Sequence, residues 1–445
     1  MNVIIAGYNK TSEDNLSPEI ISASYARVSR QEKSIPEIRE EAKKDLVKAR
    51  ESNKNIVYGV GHSSIAEHVV FNIDIIDVSR FLVEEIESHR LASYTEKSQR
   101  YVLFNGDYTI PREITDNLKW NEKYIKLIKE QNEFYVELYP ILLEYFKKNN
   151  LEKYEKDPKT VEGWAKEDAR YIISLATQTQ LGMTISARNL ELMIKRLLAC
   201  PLYEAVELAN KLNDEAYKIA PSLFPYIIPT KLDIKNKKRL YDRIIEGNGS
   251  NRVFMKNFDE EDMDSRLAES LHSDIFPIDN KKIILDALEE MTVYDPAPRE
   301  FEIIDFEFDL QVSASCFAQL KRHRMMTLLP RSYTTRDVIL PQSVLETGME
   351  DKFMEIIRKT NLFFEKTGCY YILTNAHSRE VYVKMNLREM YHFCRMRMDN
   401  HAQWEIRELA NLMYEEASYR CPIGMSLCCG KDKFQQVYDS VYKKK

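Results

Sequence analysis

Long apolar runs are missing from this chain. The opening MNVIIAG is far shorter than a membrane span or a signal-peptide core, and no later run approaches the length required, so the chain reads as soluble, with no membrane partner. Surplus positive charge is missing too: 64 Lys and Arg stand against 70 Asp and Glu, a net charge of −6. That balance excludes a generic electrostatic grip on nucleic acid and requires any anionic ligand to be met by a local basic pocket. The seven cysteines lack zinc-type spacing, and an odd number without a signal peptide points to a reducing cytoplasm rather than a disulfide framework. No metal site is expected. A composition 44% hydrophobic and 30% charged excludes bulk disorder, and 445 residues suffice for two domains with substantial cores.

What the chain does contain is a repeat. Helical periodicity marks 36–55, 115–148, 160–177, 187–199 and 203–218, then 350–366, 387–398 and 403–419, while VVFNIDI (69–75) and FEIIDFEFDL (301–310) read as strands. Each strand runs into a serine and a helical stretch ending in a basic cluster: VSRFLVEEIESHR (78–90) and VSASCFAQLKRHR (312–324). Downstream, TISARNLELMIKRL (184–197) parallels KMNLREMYHFCRMR (384–397), and each precedes an apolar helix containing ELAN, at 207–210 and 408–411. Two landmarks recurring in one order indicate an internal duplication, the second copy being shorter by a segment the size of a helical hairpin. The boundary is placed in polar KLDIKNKKRLYDRIIEGNGSNR (231–252), where Gly-Asn-Gly-Ser interrupts a charged stretch, giving halves of 1–235 and 236–445.

A His-Arg pair at a helix end can simply complement the helix dipole. The wider arrangement is more specific, because GHSSIAEH (61–68), SRF (79–81) and HRLASYTEKSQRY (89–101) crowd polar groups at both ends of one strand–helix unit. These segments resemble the flavin-dependent thymidylate synthases, whose signature is Arg-His-Arg, seven residues, Ser, one residue, Arg. HRLASYTEKSQR matches it with Ser88 in place of the leading Arg. RHR (322–324) matches its opening, with Ser332 at the right distance and Thr334 in place of the final Arg. MNLREMYHFCRMRMDNHAQWEIRELA (385–410) is similar to the family's C-terminal motif. The resemblance covers both halves and implies a duplicated α+β fold, each half packing helices on a small, mainly antiparallel sheet.

The resemblance also implies a composite dUMP site, with Glu96, Ser98, Arg100 and Arg170 from the first half and Gln319, Arg322 and Arg397 from the second. Arg397 takes the catalytic role beside the pyrimidine. FAD is assigned to Ser64, Glu96, Arg322, His323, Arg324, Asn386, Arg388 and His392. The reciprocal positions, Glu85, Ser88 and Leu197 with Pro330, Thr334 and Tyr370, lack the guanidinium groups a phosphate needs, so the second composite site is expected to be dead. Elementary chemistry agrees, since guanidinium forks and hydroxyls best hold a phosphate dianion and period two puts Glu96, Ser98 and Arg100 on one side of an extended segment. The implied reaction is reductive methylation of dUMP to dTMP, with methylenetetrahydrofolate as one-carbon donor and NADPH as reductant. The implied assembly is a homodimer imitating the family's homotetramer. A diverged flavin- or nucleotide-binding relative without this activity is the alternative, because Thr95 stands where the family has Asn and DPAPRE (295–300) replaces the second His/Ser motif. His62 and His68 read as structural, and Cys428 and Cys429 as buried.

Overall fold

Strands with one apolar face build two sheets in the computed structural model, which describes residues 1–11, 17–28, 31–100, 102–241, 252–256, 262–271 and 279–443. The first contains β1 (Asn2–Tyr8), β2 (Val70–Ser79), β3 (Ala92–Glu96) and β4 (Gln178–Ser186), antiparallel in the order β1-β2-β4-β3. The second repeats that order with β5 (Val253–Met255), β6 (Asp305–Ser313), β7 (Thr327–Pro330) and β8 (Ser378–Asn386), as β5-β6-β8-β7. The architecture is therefore α+β with a duplicated sheet. Two compact units result, residues 1–242 with 346–374 and residues 243–345 with 375–445. Of the segment read as a boundary, 231–241 is a helix, and 242–251 lies outside the described residues.

In the first unit, period two sends Phe71, Ile73 and Ile75 of β2 and Leu181, Met183 and Ile185 of β4 into the core. The helices Ala187–Leu198 and Tyr203–Ile219 supply Leu190, Met193, Leu208 and Leu212 to it. Burying each such side chain stabilises the unit by roughly 1.5–3 kcal/mol. The other face is polar, with the exposed Asn72 Nδ2 donating to Thr184 Oγ1 at 2.8 Å. A helical layer covers this unit as well, in which Leu118–Asn149 packs on Pro158–Ala169 and on Glu350–Thr367. Buried Gln131 ties this layer together, its Nε2 donating to Thr360 Oγ1 at 2.9 Å and to the Ile372 carbonyl at 3.1 Å. Here the two sequence repeats meet as short antiparallel partners: Leu175 N–H donates to the Leu373 carbonyl at 2.7 Å and Ala176 N–H to that of Tyr371 at 2.9 Å.

The second unit is built alike. Phe306, Phe308 and Leu310 of β6 and Val381 and Val383 of β8 pack beneath Leu387–Arg397 and Trp404–Arg420. Its closing loop is pinned by the buried Asp264 carboxylate, which accepts from Ile423 N at 2.9 Å and Gly424 N at 2.7 Å.

Several expectations shift. The helix expected over 160–177 ends at Ala169, continues as a 3₁₀ turn (Arg170–Ile172), and turns extended at Ile173, which lets Leu175 and Ala176 pair with the other repeat. The 36–55 helix breaks at Asp45, whose side chain accepts from Lys48 N at 3.0 Å and caps a new helix, Leu46–Lys54. The strand expected over 301–310 opens as a 3₁₀ turn, Arg299–Ile303, before β6. β4 and β8 escape sequence reading because each runs straight into the helix after it. All seven cysteines are buried and none is joined in a disulfide. No described helix is long and apolar enough to cross a membrane.

The two sheets differ at one strand end. The β2–β4 register shifts between Ile76 and Val78, leaving Asp77 at φ 57°, whereas β6 pairs with β8 without interruption. The bulge inserts one residue into β2, and the pairing beyond it matches the second copy, Ser79 standing opposite Gln178 as Ser313 stands opposite Ser378.

Candidate functional site

Each unit bolts its strand–helix corner in the same way. Ser79 caps the helix Arg80–Glu87 by accepting from Leu82 N at 3.0 Å, while its own N–H and hydroxyl donate to the Glu204 carboxylate at 2.8 and 2.6 Å. Ser313 accepts from Cys316 N at 3.0 Å, and its N–H donates to Glu405 Oε1 at 3.0 Å and its hydroxyl to Glu405 Oε2. Arg252 supports the second clamp with Nη2 3.0 Å from Glu405. Burial, with the charge of Glu207 adding to it, pushes the Glu204 carboxyl upward against its hydrogen bonds to Ser79.

From the first corner an ionic cluster is assembled. Arg80, nearly buried, donates from Nη1 to Glu96 Oε1 at 2.6 Å, and the Glu96 side chain is fully enclosed at the end of β3. Two residues on, Ser98 Oγ accepts from Arg100 N at 3.1 Å, and the Arg100 guanidinium pairs with Glu167. Arg170 is buried at the end of the helix carrying Glu167. Burial pulls its guanidinium below the ordinary value, Glu167 opposes this, and the positive charges of Arg80 and Arg100 add to it. The fold thus brings Glu96, Ser98, Arg100 and Arg170 together and adds Arg80 and Glu167, although the extended segment expected through Arg100 ends at Glu96 and turns at residues 99–100. Concentrating guanidinium groups in a desolvated place suits a phosphate. Ser64 stands apart, exposed in the 3₁₀ turn Ser63–His68.

The second unit gathers a different set. Arg397 Nε donates to His323 Nε2 at 2.8 Å, and its Nη2 donates to the Gln319 carbonyl at 3.1 Å. Burial first, then the charges of Arg397 and His392, hold His323 well below the usual histidine range, so it is neutral. A neutral ring that accepts at Nε2 carries its proton on Nδ1, which faces Glu389 Oε1 at 3.6 Å. The His392 ring lies edge-on to His323, centroids 5.6 Å apart. Asn386 caps the Leu387–Arg397 helix, its Oδ1 accepting from Glu389 N at 2.9 Å. Arg388 donates from Nε to the Ala297 carbonyl and from Nη1 to Glu302, both at 2.8 Å. Its repeat counterpart Arg188 pairs with Glu67 of the GHSSIAEH segment, so the altered second segment keeps its ionic anchor. Arg322 and His392 are exposed and Arg324 is half-buried. Guanidinium and imidazole groups around a neutral, buried His323 are the donor set a dinucleotide pyrophosphate and a polar ring system need, so these residues fit FAD. Asn386 and Arg388 serve as cap and anchor as well.

The reciprocal positions are absorbed into packing. Glu85 pairs with Lys237, Ser88 Oγ donates to the Glu85 carbonyl at 2.7 Å, and Leu197 is in the core. His89, buried beside Arg196 and Lys237, is pushed down to about 4, chiefly by desolvation. Tyr370, aligned with Arg170, stacks on Phe81 with centroids 5.6 Å apart, and Thr334 accepts from Arg336 N. The sequence reading passed over Arg80 and Glu167. A signal for the first existed, because SRF (79–81) faces SAS (313–315) in the repeat, leaving Arg80 only in the copy that holds Glu96.

The family model for thymidylate synthase complementing protein matches residues 13–222 and 256–423. The chain is 30% identical over 225 residues to a flavin-dependent thymidylate synthase of Clostridium tetani, covering 50% of this chain and 86% of that one. A UPF0159 protein of Thermoplasma acidophilum is 24% identical over 427 residues, covering 82% and 85% respectively. Thymidylate synthase X from Helicobacter pylori, solved with FAD and dUMP, aligns at 21% identity and TM-score 0.32 over 52% of this chain and 100% of that one.

Proposed function

Because this chain belongs to the thymidylate synthase complementing protein family as a two-copy member, we propose that it methylates dUMP reductively to dTMP. FAD, methylenetetrahydrofolate and NADPH complete the reaction in this reading. The single observation that carries it is the division of labour between the copies. Arg80, Glu96, Arg100, Glu167 and Arg170 form one ionic cluster, and Ala314, Pro330, Thr334, Thr367 and Tyr370 stand at the matching places of the other copy.

In this reading the first-copy guanidinium groups, with Ser98, hold the nucleotide phosphate. Arg397, its orientation fixed by neutral His323 and the Gln319 carbonyl, lies beside a base carbonyl and stabilises negative charge developing on the pyrimidine. Arg322, His323, Arg324, Asn386, Arg388 and His392, with Ser64 and Glu96, hold FAD, which when bound supplies the reducing equivalents. The halves are 1–235 and 236–445, two chains associate, and the cytoplasm is the site of action.

The test is a methylation assay with dUMP, FAD, methylenetetrahydrofolate and NADPH. Activity should fall at least about a hundredfold in Arg100→Ala and in Arg397→Ala, each removing a charge-assisted contact. A second reading, a flavoprotein that binds nucleotide without methylating it, draws on the altered segment at 295–300. Flavin-dependent NADPH oxidation with no dTMP formed would select it.

A further inference from the structure

Gln319 is 5% exposed, and its Oε1 is buried with no hydrogen-bond partner among the described residues. Its Nε2 donates to Gln403 Oε1 at 3.3 Å. The orientation of both amides is set by one group that can only donate. Gln403 caps the Trp404–Arg420 helix, and the Ile406 backbone N–H reaches it at 3.4 Å, so the Gln403 atom at that point is its oxygen. The same oxygen meets Gln319, so Gln319 must turn its NH₂ toward it and its own Oε1 away. A buried acceptor left without a donor is unfavourable unless a ligand provides one. The residue also anchors Arg397 through its carbonyl. In the first copy the position of Gln403 is Leu202, which makes no side-chain cap, and that of Gln319 is Glu85. The glutamine pair is therefore present together in one copy and absent together from the other.

We infer that Gln403 is a positioning residue that locks the Gln319 amide with Oε1 presented to the nucleobase, so that the site selects a base offering an N–H donor beside a carbonyl, uracil, over cytosine. This rests on the proposal that the site binds dUMP. An acceptor at Oε1 pairs with the uracil N3–H while Arg397 donates to the neighbouring carbonyl. Cytosine presents a bare ring nitrogen and an amino group in those places, so acceptor meets acceptor and donor meets donor.

Equilibrium binding of dUMP and dCMP to the full chain, with and without FAD, tests the inference. The native chain should prefer dUMP by about tenfold or more, the value of one well-placed neutral hydrogen bond and the loss of its mismatch. Gln403→Leu, which installs the first-copy residue, should weaken dUMP and bring the two ligands within about threefold, since a freed amide can face either base. Gln403→Glu keeps an acceptor for both Ile406 N–H and Gln319 Nε2 and should keep the preference. Gln319→Leu should abolish it, and adding Gln403→Leu to that variant should change the ratio no further, whereas a merely structural cap would leave the ratio unchanged in the Gln403→Leu single variant as well. Native-like preference in folded Gln403→Leu overturns the inference while leaving the dUMP reading intact. Absence of saturable dUMP binding by the native chain overturns both.

Discussion

Arg80 and Glu96 illustrate how a site residue acquires a second duty. Removing the arginine strips a buried carboxylate of its counter-charge, so Arg80→Met should cost about 3–5 kcal/mol of stability as well as dUMP affinity. Adding Glu96→Gln should recover most of the stability without the affinity, which urea unfolding and calorimetric titration would separate. His89 gives a pH-dependent prediction of definite sign. Its native form resists protonation down to about 4, whereas the unfolded chain takes up the proton near the ordinary 6.5. Stability is thus full above the unfolded value and falls as pH drops through the window between them, by at most roughly 3 kcal/mol. His89→Gln should flatten that part of the profile, read as the difference in urea midpoint between about pH 7 and about pH 5. His323, held down more strongly, adds a slope of the same sign.

At the scale of elements, the serine corner is the recurring part. Ser79→Ala and Ser313→Ala each remove a helix cap and the hydroxyl bond to a buried carboxylate, which keeps its bond from the backbone N–H, so each should cost about 1–3 kcal/mol in chemical denaturation. The bulge differs between copies. Because Asp77 sits at φ 57°, Asp77→Gly should be neutral or stabilise by up to about 1 kcal/mol, while Asp77→Val should destabilise by at least that much.

For the whole molecule, the unequal copies predict stoichiometry. Titration should give one dUMP per chain, and sedimentation should give a dimer; two nucleotides per chain would contradict the division of the ionic cluster. Much of this is legible in the sequence. Repetition of the serine corner, of the basic cluster and of the ELAN helix is a matter of residue order, and so is the loss of guanidinium groups from one set of positions. The helices are readable wherever one amphipathic period persists, as in Leu118–Asn149. Chain reversals and distant pairs are not. Glu167 sits in a segment that reads as an ordinary amphipathic helix, and its partner Arg100 is 67 residues away. Lys237 neutralises Glu85 across 152 residues, and the Glu350–Thr367 helix belongs by sequence to one repeat but packs with the other. The sequence by itself determined which charges exist, in what order, and in which copy. Only the tertiary structure decided which of them meet, because ion pairing and burial depend on distance in space, and residue order carries no measure of it.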